Sequence, residues 1–206
     1  MNQLLINGCY DEKTLRSFLD LGVSRFAFDL RAKSPNLVPF NQLKKFSELL
    51  AGKEIVLIFE NDRSATILSF LDMLKSSPVS CVLEFRDFRE ADYYKSLKHP
   101  FLWMFEPGSD WANILQVPFL KGVLLPVSFK DKFQELPKLW SIIEERKLDV
   151  YLHADSFAEA EVYINDKDLL ISVDVTKEVE ESYRNIDQKK LKAMRFWRKL
   201  NEITSI

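Results

Sequence analysis

A chain of 206 residues has room for one domain with a full core and is short for two. Hydrophobic residues make up 47% and charged residues 29%, which excludes a disordered polyelectrolyte, and 29 Lys and Arg against 31 Asp and Glu leave a net charge of −2, too small to direct the chain to nucleic acid or an anionic membrane. The opening MNQLLINGCYDEK has neither the basic segment nor the apolar run of a secretory signal, and no apolar stretch reaches bilayer length, so the expected compartment is the cytoplasm.

In chain order, the first element is the short apolar run Leu4–Asn7, followed by a helical pattern over Asp11–Leu21 with Leu15, Phe18 and Leu19 on one face. Further strands are expected at Arg25–Leu30, Ile55–Phe59, Ser80–Phe85, Phe101–Phe105, Gly122–Val127, Asp149–His153 and Leu169–Val175. These runs are apolar on both faces, as strands of a parallel sheet covered on both sides must be. A helix over Ser156–Ile164 opens with Ser156 and Glu159 as a capping box. The last helix is expected to run from Asp187 to Leu200, with Asp187 as N-cap and Leu191, Met194, Trp197 and Leu200 at helical spacing.

The connections are short and contain no Gly/Ser linker, so residues 1–206 read as a single domain. Eight βα units suit a closed barrel, although periodicity alone does not distinguish closure from an open sheet. The 5 glycines form no dinucleotide or P-loop motif, and no cofactor is expected. Cys9 and Cys81, with His99 and His153, have no metal-ligand spacing, so no metal is expected and the thiols are expected to be reduced. Phe85, Phe88, Tyr93, Tyr94, Phe101, Trp103 and Phe105 belong either to the core, as most aromatics do, or to an interaction patch.

Four segments carry a family likeness in order and in register. Gly22–Val38 (GVSRFAFDLRAKSPNLV) resembles the second βα unit of phosphoribosylanthranilate isomerase, typically GADALGFVFAPKSPRYV. Leu5-Ile6-Asn7-Gly8 matches that family's KICG, Ile58-Phe59-Glu60-Asn61 its VFVN, and Val173–Glu180 its VDVSSGVE. The resemblance implies an α/β fold, a (β/α)8 TIM barrel. It also implies an Amadori rearrangement of a phosphoribosyl anthranilate, with a cysteine base ending strand one and an aspartate acid ending strand six. An arginine in the KSPR loop would hold the carboxylate, and glycine turns after strands seven and eight would hold the phosphate.

The corresponding positions here hold other residues. Asn7 occupies the base position and Pro126 the acid position, and neither exchanges protons near neutrality. Asn36 replaces the carboxylate-binding arginine, turning a charge-assisted grip into neutral hydrogen bonding. His153-Ala154 replaces the strand-seven glycine pair, and Glu178 replaces a strand-eight glycine, where it adds bulk and like charge. Lys177 either offsets that charge or is a solvated loop lysine. Strand four ends in Glu84-Phe85-Arg86 rather than the family's QLHG.

Cys9 is either a relocated base or a thiol without a role. Asp29, Arg31, Asn36, Asp174 and Lys177 are the candidate substrate-binding residues, and Cys9, Glu84 and His153 the candidate catalytic ones. The expectation is a diverged barrel without the parent activity, acting as a module that binds a small-molecule ligand at its C-terminal mouth or as a protein-interaction module. The alternatives are an enzyme with changed chemistry at the same mouth, or an isomerase of tryptophan biosynthesis with a rewired acid–base pair. No nucleic acid or membrane partner is expected, and no particular protein partner is specified.

Overall fold

Eight parallel strands, β1 Leu4–Asn7, β2 Arg25–Asp29, β3 Glu54–Phe59, β4 Ser80–Phe85, β5 Phe101–Met104, β6 Leu120–Pro126, β7 Asp149–Ala154 and β8 Leu170–Asp174, pair in sequence order, and β8 returns to β1 to close the ring. These features come from a computed structural model that describes residues 4–129, 137–164, 170–175, 179–182 and 184–204. Helices run between the strands on the outside: α1 Glu12–Asp20, α2 Phe40–Leu49, α3 Ser64–Leu74, α4 Ala91–Leu97, α5 Trp111–Ile114, α6 Pro137–Arg146 and α7 Phe157–Tyr163. No helix among the described residues is long and apolar enough to cross a membrane.

Period-2 alternation divides the core into two shells. Leu5, Ala27, Val56, Ile58, Val82, Leu102, Leu124 and Tyr151 fill the barrel interior. Their strand neighbours, among them Ile6, Phe28, Leu57, Phe85, Trp103 and Val173, face the helices. The aromatic segment belongs to this outer shell, where Tyr94 stacks on Phe101 at 4.9 Å and Phe85 meets both. Phe88 alone of that group is exposed, at 43%. At the N-terminal end of the barrel, a Cβ on Gly122 would lie 2.6 Å from the Asp149 carbonyl oxygen, so close approach of β6 and β7 requires glycine there.

The helix starts follow local chemistry. Asp11 accepts a hydrogen bond from the Thr14 N–H, and Ser156 from the Glu159 N–H. Glu159 reaches back to the Asp155 N–H at 2.9 Å, one residue before the position a capping box would use. The bounds of β1 and β4 are those read from the sequence, the other strands differ from that reading by one or two residues at an end, and Leu169 lies outside the described residues.

Two features depart from that reading. A two-stranded antiparallel hairpin, β9 Glu180–Ser182 and β10 Asn185–Ile186, follows the barrel. The expected final helix is two helices, α8 Gln188–Ala193 and α9 Arg195–Thr204, broken at Met194, whose ψ of 144° is extended. Without the break, Leu191 and Phe196 would point about 140° apart around one helix. With it both are buried, Phe196 against Phe157 at 4.8 Å and Trp197 against Phe18 at 5.0 Å. The Leu200 side chain lies outside the described residues.

Candidate functional site

Residues two apart on a strand share a face, so the next inward positions beyond the apolar lining bring Asn7, Asp29, Glu84, Pro126, His153 and Ser172 to the C-terminal mouth of the ring. Asn7 ends β1 and Pro126 ends β6; Pro126 is in register with His153, and His153 with Ser172. Asn7, Glu84 and Ser172 have no exposed surface, and Asp29 and His153 are buried.

A hydrogen-bond chain crosses three strands. Asn7 Nδ2 donates to Ser172 Oγ at 2.7 Å, and Ser172 Oγ lies 3.1 Å from His153 Nδ1. With two lone pairs, the serine oxygen accepts from Asn7 and either gives its own proton to Nδ1 or accepts a second bond from Nδ1–H, so both tautomers of a neutral His153 ring fit the chain. The other ring nitrogen, Nε2, is 3.7 Å from Asp155 Oδ1. Ser172 was not anticipated from the sequence; its one signal is a hydroxyl at an inward-alternating position of the apolar run LISVD.

Carboxylates and arginines two residues apart pair at the strand ends. Asp29 Oδ1 accepts from the Arg31 N–H and Nε at 3.0 and 2.9 Å, while Oδ2 accepts from Arg31 Nη2 at 2.7 Å and Ser34 Oγ at 2.6 Å. Burial alone would raise the Asp29 carboxyl, but the bonds from Arg31 and Ser34 and the guanidinium charge hold it below the usual carboxylate range. Ser34 Oγ also accepts from the Asn36 N–H at 3.1 Å, so the Lys33-Ser34-Pro35-Asn36 loop is anchored on Asp29. Arg86 Nε donates to Glu84 Oε1 at 2.7 Å, and Arg89 Nε to Asp87 Oδ2 at 2.7 Å. Arg31 also faces Glu60, at 3.5 Å.

These pairs do not use every atom. Asn7 Oδ1, Glu84 Oε2 and Asp87 Oδ1 are buried acceptors without a hydrogen-bond partner, and Arg86 Nη2 is a buried donor in the same condition. The strand ends, with the described residues up to each following helix and through Val175 after β8, carry Asp11, Asp29, Glu60, Asp62, Glu84, Asp87, Glu90, Glu106, Asp110, Asp155 and Asp174. Against these eleven acids stand Arg31, Lys33, Arg63, Arg86 and Arg89, five bases, a local charge of −6 on a chain whose total is −2.

Cys9 packs in the outer shell with no exposed surface, and burial, reinforced by the charges of Asp11 and Asp174, pushes its thiol well above the ordinary range. A thiol held in that state is a poor base. Asp174 ends β8 in register with Asn7, partly exposed. Lys177 and Glu178, and with them the expected second half of a phosphate turn, lie outside the described residues. Among the described residues no group of three or more His, Cys, Asp and Glu is placed to hold a metal ion.

No protein-family model matches the sequence, and no curated protein matches it by sequence. Solved structures do match by fold. Phosphoribosyl anthranilate isomerase from Thermus thermophilus superposes with a TM-score of 0.68 at 15% identity, over 98% of this chain and 100% of that one. TrpF from Jonesia denitrificans gives 0.67 at 13% identity, over 100% and 98%. A phosphoribosyl anthranilate isomerase in complex with reduced 1-(o-carboxyphenylamino)-1-deoxyribulose 5-phosphate gives 0.69 at 14%, over 98% and 99%. Ring closure, strand order and end-to-end superposition together identify the chain as a (β/α)8 barrel with the fold of the phosphoribosylanthranilate isomerases.

Proposed function

We propose that this protein is a diverged phosphoribosylanthranilate isomerase-like barrel that does not catalyse the parent isomerisation and instead binds a small molecule at its C-terminal mouth. The observation that carries this reading is the pair Asn7 and Pro126, which end β1 and β6 where the resemblance puts the base and the acid. An amide and a pyrrolidine ring neither take nor give a proton near neutral pH. Each lost group typically contributes 10² to 10⁴-fold, so losing both removes roughly 5 to 11 kcal/mol of transition-state stabilisation. Asn36, in the arginine's place, has no guanidinium with which to grip a substrate carboxylate. Ligand binding is favoured over a purely structural barrel because buried polar atoms at the mouth lack partners, a cost that a folded protein rarely carries without a use.

The test combines complementation of a tryptophan-requiring strain that lacks the isomerase with a direct fluorescence assay on purified protein. The expected result is no growth without tryptophan and no turnover. Growth with measurable turnover overturns the reading.

A second reading, changed chemistry at the same mouth, rests on the Asn7–Ser172–His153 chain, which makes His153 its acid–base group. In that case His153→Gln removes turnover of a bound substrate while leaving its affinity within a few-fold.

A further inference from the structure

Accepting the reading above that the mouth holds a ligand, we infer that this ligand is a small organic ammonium rather than a phosphate, seated with its N–H groups on Asn7 Oδ1 and Glu84 Oε2. Both residues have no exposed surface, project inward from β1 and β4, and each leaves one oxygen without a donor. A primary ammonium supplies three donors and no acceptor, the complement of that pair. The charge on Glu84 turns such contacts into charge-assisted bonds.

Electrostatics points the same way. The described residues of the mouth carry a net −6, and the arginines nearest the strand ends are already held by their own carboxylates, Arg31 by Asp29 and Arg86 by Glu84. A field of that sign concentrates cations and repels a phosphorylated carboxylate such as the one named in the similar complex. A metal cation is a poorer fit, since the described residues offer no group of three ligands to hold one. Arg86 lies one inward step beyond Glu84, bonds its Oε1 and carries a buried Nη2 donor without a partner, so an arriving ammonium competes with that guanidinium for Glu84.

The experiment measures thermal shift and titration calorimetry on the full chain at low ionic strength, where charge effects are least screened. The probes are ethanolamine and 1,4-diaminobutane, their neutral counterparts ethylene glycol and 1,4-butanediol, inorganic phosphate, and magnesium chloride. The amines are expected to bind and raise the melting temperature, and the diols to do neither. Glu84→Gln should weaken amine binding at least tenfold, whereas Arg86→Met, which frees the second Glu84 oxygen, should strengthen it about threefold or more.

Diols equal to amines, phosphate bound in preference, magnesium displacing the amines, or Glu84→Gln binding amines as well as the parent would each overturn the inference. Should Glu84→Gln fail to fold, Arg86→Met decides: unchanged or weaker amine affinity overturns it. Absence of amine binding in a protein that also lacks isomerase activity sinks this inference alone, whereas isomerase activity sinks the reading beneath it.

Discussion

The two ends of the barrel treat a partly or wholly buried carboxylate in opposite ways. At the N-terminal end Glu54 has both oxygens occupied, one by Arg25 Nη2 at 2.8 Å and the other by Lys121 Nζ at 2.5 Å, and the Arg25 guanidinium lies 5.4 Å from the Tyr151 ring centroid. At the C-terminal end Glu84, more deeply buried, has one oxygen bonded by Arg86 and the other by nothing. A saturated pair holds β2, β3 and β6 together. An unsaturated one keeps hydrogen-bonding capacity in reserve for something that enters from outside. This division follows the general plan of (β/α)8 barrels, in which the N-terminal end supports stability and the C-terminal end carries ligands.

The largest effect should come from breaking the saturated end. Glu54→Ala leaves Arg25 and Lys121 facing each other without their shared anion, and because these side chains are only partly exposed the expected loss is about 3 kcal/mol, read as a lower urea midpoint at constant slope. A loss under about 1 kcal/mol would mean that the cations relax into solvent and that the pair is not a structural clamp.

Acid should act next, and through the same group. Burial would raise the Glu54 carboxyl, but hydrogen bonds from Arg25 and Lys121 and their charges hold it below its ordinary value, and Asp29 is depressed likewise. A carboxylate depressed on folding contributes stability that is complete above its unfolded pKa, about 4, and is lost as pH falls through the folded value. The unfolding free energy should therefore be flat between about pH 5 and about pH 8, above which the raised Cys9 thiol begins to favour unfolding, and decline below about pH 4. The decline should be shallower in Glu54→Gln, as followed by urea titrations at several pH values. An equally steep acid limb in that variant would remove Glu54 from the account.

Glu84→Gln should give the smallest change, roughly 1 to 2 kcal/mol, because Arg86 loses its counter-charge but the Gln amide oxygen still accepts its Nε–H bond. A loss as large as that of Glu54→Ala would erase the distinction between the two ends and return Glu84 to a structural role.

Much of the architecture was legible because it depends on neighbours in sequence. Apolar runs such as Ile55–Phe59 and Ser80–Phe85 declare strands covered on both faces, and Asp11, Ser156 and Asp187 mark helix starts by bonding N–H groups two or three residues ahead. Local signals failed at Met194, where an unbroken helical pattern conceals a break that only the packing of Phe196 and Trp197 requires. They failed again at Cys9, whose spacing left open a place at the mouth and which the fold buries among helix-facing residues. The sequence by itself determined which chemical groups stand at the strand ends, including the amide at position 7 and the proline at position 126. Only the tertiary structure decided which of them meet: Asn7 and Ser172 are 165 residues apart and touch because β8 returns to β1, a consequence of strand twist and ring closure that no local pattern encodes.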